Sequence, residues 1–64
     1  MNRRELEKYL RSTGCRFHRH GAGHDIWLNP ANGKKAAVPR HNAIPGGTVR
    51  SICRQLGIPL PPGF

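Results

Sequence analysis

The chain has 64 residues, enough for one domain and too few to enclose a deep, cofactor-filled cleft. Eleven Lys and Arg stand against three Asp and Glu, a net charge of +8 with histidine neutral, so a polyanion is the expected partner and nucleic acid the favoured one. No apolar run approaches the ~20 residues that span a bilayer, and the charged stretch 1–10 lacks the apolar segment of a secretory signal, so a cytoplasmic protein with no membrane role is expected.

In chain order, the first segment reads as a helix. Asn2 caps it, Glu5 stands at the capping-box spacing, Leu6 and Leu10 form a narrow apolar stripe, and Gly14 ends it. Cys15 to His20 alternates as a half-buried strand, with Cys15 and Phe17 inward and Arg16, His18 and His20 outward. Gly21-Ala22-Gly23 is a turn, and His24 to Asn29 a second strand with β-formers at Ile26 and Trp27. Trp27 is expected in the core, though Ile26 and Leu28 compete for the inner face. Asp25, beside His24 but on the opposite face, is expected to meet solvent.

Asn29 to Gly33 carries the strongest hairpin signal, Asn32-Gly33, and Lys34 to Val38 completes an antiparallel meander. A loop from Pro39 to Gly47 leads to a second helix, capped by Thr48 or with Pro45 in its first turn. Gly46-Gly47 is expected to be a flexible lead-in. Val49, Ile52, Cys53 and Leu56 fall at helical spacing, Gly57 stops the helix, and Pro59 forbids its continuation. The order α-β-β-β-α gives a two-layer α+β domain over residues 1–58, both helices on one face of a three-stranded sheet. A Pro-rich tail, 59–64, is mobile unless Phe64 docks. Cys15 and Cys53 are expected as buried free thiols.

Four histidines are the chemical signal. A metal site is disfavoured, because Cys15 and His18 face opposite sides of a strand and carboxylates are scarce; no metal or other cofactor is expected. His24 differs in its setting: it follows a glycine turn that a phosphate backbone can approach, and it opens a strand. An imidazole there can take a proton from a ribose 2′-hydroxyl or give one to a leaving 5′-oxygen, with nearby cations stabilising the phosphorane. Lys34 and Lys35, flanking the hairpin, are candidates for phosphate contact.

Gly14, Arg19 ahead of the glycine turn, His24, Trp27, Asn29-Pro30 and Gly33 form an ordered set. It continues through Val38-Pro39-Arg40-His41 and Ile44-Pro45-x-Gly47-Thr48-x-x-x-Ile52 to Leu56-Gly57-Ile58. In this order and spacing the chain resembles the HicA-type toxins of bacterial toxin–antitoxin pairs, which are small mRNA interferases. The resemblance implies a double-stranded-RNA-binding-domain-like fold, matching the order reached above. It also implies endoribonuclease activity on single-stranded mRNA and a HicB-type antitoxin, usually acidic, that covers the catalytic face. It makes His24 the catalytic residue and places His41, with Arg40, in a structural or RNA-contacting role. The family commonly has Gly-Ser-His at the turn, whereas this chain has Ala22-Gly23-His24. The proposed phosphate-binding cations are Arg19, Lys34, Lys35 and Arg40. Two other readings stay open: a non-catalytic RNA-binding module of the same fold, and an adaptor for an acidic protein.

Overall fold

A computed structural model describes residues 1–64 as α1 (Arg3–Ser12), β1 (Arg16–His20), β2 (His24–Asn29), β3 (Lys34–Pro39) and α2 (Gly46–Leu56). The strands form one antiparallel sheet with β2 in the centre, and the architecture is the expected two-layer α+β, double-stranded-RNA-binding-domain-like arrangement.

Both helices stop by the same chemistry. Gly14 (φ 90°) and Gly57 (φ 69°) take the left-handed conformation that costs other residues a clash between Cβ and backbone. Each reversal satisfies carbonyls the helix leaves orphaned. Gly14 N–H donates to Arg11 O (3.1 Å) and Cys15 N–H to Leu10 O (2.9 Å); Gly57 N–H donates to Arg54 O (3.2 Å) and Ile58 N–H to Cys53 O (3.1 Å). The helix starts differ. Asn2 Oδ1 accepts the Glu5 N–H at 2.8 Å while Asn2 Nδ2 donates to Glu5 Oε1 at 3.0 Å, the expected reciprocal cap. For α2 the expectation needs correcting: Pro45 holds the capping position without a side-chain bond, and Gly46 and Gly47 are already helical.

The core joins Leu6 and Leu10 of α1, Val49, Ile52, Cys53 and Leu56 of α2, and Trp27, Ala36 and Val38 of the sheet, with Cys15 and Ile44 closing it. Trp27 pairs with Ala36, a large side chain opposite a small one, and is 2% exposed; it takes the inner face from Ile26 and Leu28. The Arg11 guanidinium lies 5.3 Å from its ring centroid. Its indole N–H is buried without a partner, a cost the ring's burial has to offset.

The sheet's hairpin is tied to α2. Buried Asn29 donates from Nδ2 to Leu56 O (2.8 Å), and Asn32 Nδ2 donates to the same carbonyl (3.0 Å). Their Oδ1 atoms accept from Ala31 N–H and Lys34 N–H. The tail docks: Tyr9 Oη donates to Pro59 O (2.6 Å), Pro61 is buried, and Phe64 packs against the core.

Strand β1 departs from the expectation of a half-buried strand, being exposed along its whole length. Cys15, though buried, precedes it as part of the α1 reversal. The core draws its strand residues from β2 and β3, with α2 against β3, so the helical layer does not extend over β1. Phe17, paired with Trp27 on the helical side, is therefore 44% exposed. A bulge between Phe17 and Arg19 then resets the alternation: Arg19 pairs with Ile26 and His20 with Asp25. His20 consequently joins Phe17 on the helical side, ring centroids 4.9 Å apart, instead of sharing a face with Arg16.

Candidate active site

The turn between β1 and β2 is tighter than its glycine content suggests, with Ala22 and Gly23 at its tip. Gly21 N–H donates to His24 O at 2.7 Å, and the return bond from His24 N–H to Gly21 O is not made. Strand β2 runs in unbroken register with β3, so alternation places His24, Ile26 and Leu28 on the open face and Asp25, Trp27 and Asn29 on the helical one. His24 is half-buried, and its imidazole enters none of the hydrogen bonds or ion pairs around it. The ring lies over Gly21: a Cβ there would come 3.0 Å from His24 Nε2 and 3.2 Å from Cδ2. Glycine at 21 is thus the space the imidazole occupies.

Cross-strand pairing arranges the open face in rows. Arg16, Leu28 and Lys35 form one, Arg19, Ile26 and Ala37 the next, and His24 with Pro39 the third. Successive rows are two residues apart, about 7 Å along the strand. Arg19 and Lys35 therefore share the face of His24, joined by Arg16, which the sequence reading left out. Lys34 pairs with Asn29 on the helical face, at the end of the sheet farthest from His24, roughly 17 Å along the strand. His41 is exposed on the segment after β3.

The acids lie elsewhere. Glu7 meets Arg3 and Arg11, each at 3.8 Å, and Asp25 meets Arg40. Arg16, Arg19 and Lys35 have no acidic partner, so the positive field over the open face is uncompensated.

Arg40 turns back from the end of β3 under the turn. Its Nε donates to Asp25 Oδ1 (2.9 Å), and its Nη2 donates to Gly21 O (2.8 Å) and His24 O (3.1 Å). His20 Nδ1 lies 2.9 Å from the same Asp25 oxygen, so Nδ1–H as donor fits the geometry. Asp25 was expected in solvent. Instead its side chain is 15% exposed and is the hub of this cluster. The Arg40 hydrogen bond, then the His20 one, hold its carboxyl below the usual aspartate range against the opposing effect of desolvation. As the alternation implied, it does not touch the His24 ring.

The sequence did carry a signal for this cluster. Residues flanking a hairpin turn face each other, which pairs His20 with Asp25, whereas nothing local brings in Arg40. No three His, Cys, Asp or Glu side chains converge to hold a metal ion. Cys15 and Cys53 are free and buried, and burial pushes the Cys53 thiol above its ordinary range. No helix is long and apolar enough to cross a membrane.

What the face presents is an unpartnered, half-buried imidazole beside cations that no carboxylate neutralises. In comparisons with known proteins, a family model described as the HicA toxin of bacterial toxin-antitoxin systems matches residues 3–58. No curated protein and no solved structure matches the chain.

Proposed function

We propose that this chain, which belongs to the HicA toxin family and so is the toxin of a toxin–antitoxin pair, is an endoribonuclease that cleaves single-stranded RNA with His24 as its acid–base group. The imidazole accepts the proton of a ribose 2′-hydroxyl as that oxygen bonds to phosphorus. The bond from phosphorus to the 5′-oxygen breaks, and the imidazolium returns the proton to the leaving oxygen, giving a 2′,3′-cyclic phosphate. The substrate brings its own nucleophile, so the protein has to supply proton transfer and positive charge.

Arg19, Lys35 and Arg16 bind phosphates on the open face. Lys34 and His41 contact the strand outside it, and Arg40 acts at the turn. A HicB-type antitoxin, acidic where this chain is basic, neutralises the toxin by covering His24.

The observation that carries this reading is the unpartnered, half-buried imidazole on a cation-lined face without carboxylates. The test incubates purified protein with single-stranded RNA in excess chelator, beside His24→Ala. Cleavage is expected from the parent chain and a loss of about 100-fold or more from the variant. A 2′-deoxy nucleotide at the cleaved position should block the reaction. Equal cleavage by both proteins refutes the assignment to His24. Salt-dependent RNA binding with no cleavage by either leaves a non-catalytic RNA-binding module.

A further inference from the structure

We infer that Arg40 is a positioning residue for His24, its guanidinium clamping the turn that carries the imidazole. The inference rests on the proposed nuclease reading for its functional half, and on hydrogen-bond geometry alone for its structural half.

The turn needs an external brace. It has glycine at 21 and 23, the residues that lose most conformational freedom on ordering, and Ala22 at its tip is exposed. Its own backbone supplies one closing bond, Gly21 N–H to His24 O. Gly21 O, lacking the return bond from His24, takes Arg40 Nη2 as donor instead. The same nitrogen reaches His24 O, so one side-chain atom bridges the residues on both sides of the tip.

A guanidinium suits this task because its donors are fixed in one plane. Nη2 serves the two carbonyls while Nε is anchored on Asp25, the β2 residue next to His24. Asp25 is in turn bonded by His20, the last residue of β1. The clamp therefore joins the end of β1, both sides of the turn, the start of β2 and the exit from β3. A lysine ammonium is a point charge and cannot hold the carboxylate and the two carbonyls in that fixed fork.

The experiment compares the full chain with Arg40→Gln and Arg40→Lys by three readouts. These are single-turnover RNA cleavage, RNA affinity measured in the His24→Ala background, and amide hydrogen exchange. Both variants should lose cleavage by about tenfold or more. Their RNA affinity should stay within about threefold, so that the loss sits in kcat and not in KM. In both, the Gly21 amide should exchange about tenfold faster or more while core amides such as that of Trp27 keep their protection, which also shows that the variants are folded.

Full cleavage restored by lysine would mean that Arg40 supplies charge, and would overturn the inference. So would a loss confined to RNA affinity, or unchanged Gly21 exchange. If the parent chain cleaves no RNA, the nuclease reading fails by itself, and the exchange measurement still decides whether the clamp exists.

Discussion

At position 21 a single methyl group tests the geometry of the imidazole. The Cβ of an alanine would sit 3.0 Å from His24 Nε2 and 3.3 Å from His24 O, so the ring must swing aside and the turn must give slightly. Gly21→Ala should lower RNA cleavage by about tenfold or more, because a shift of about 1 Å at a reacting group is costly. The exposed turn adds little to stability, so the thermal midpoint should move by only a few degrees. A variant with parental activity would show that the ring's seat over Gly21 does not matter for cleavage. The place of His24, directly after the glycine turn and at the start of β2, was legible in the sequence. The contacts of its neighbours were not. Alternation assigns Asp25 a face, but its partner Arg40 is 15 residues away and becomes adjacent only when β3 pairs with β2.

The helices show which local rules carry through to the fold. The glycines at 14 and 57 were readable as helix ends because the left-handed reversal is a strong local preference. Their surroundings were not readable. Nothing lies near the position of a Cβ on Gly14, whereas a Cβ on Gly57 would come 2.8 Å from Asn32 Nδ2, one of the two donors on Leu56 O. Gly14→Ala should therefore cost only the strain of its backbone, about 1–2 kcal/mol. Gly57→Ala should cost more, since it also displaces the link between hairpin and helix. Denaturant titration of the two variants checks the order, and equal losses would deny the Asn32 contact a role. Strand β1 shows the opposite case. Its alternating residues read as half-buried, but alternation says only which residues share a face. Whether that face is covered depends on the width of the helical layer, and the bulge between Phe17 and Arg19 leaves no local mark in composition. The start of α2 was misread for a related reason: Pro45 fixes its own φ and needs no side-chain cap, so Thr48 was not required at the boundary.

For the molecule as a whole, the two-layer order followed from two apolar stripes and one meander, and the open face followed from that order. Composition gave the sign of the field but not its distribution. Glu7 holds Arg3 and Arg11, Asp25 holds Arg40, and Glu5 is engaged with Asn2 at the start of α1, which leaves Arg16, Arg19 and Lys35 as the free charges on the face of His24. A thin core of 11 buried apolar residues supports this display, so the docked tail and the links onto Leu56 O contribute a meaningful share of a small margin.

The sheet's borders have a consequence for crowding. Two copies meeting along β1 would set Arg16, His18, Arg19 and His20 against their own counterparts, and the bulge prevents a straight ladder between them. At the other border stand Lys34, Lys35 and Pro39. Concentrated solutions at low ionic strength should accordingly stay free of fibres in sedimentation velocity; growth of polymers there would mean that neither border repels its like.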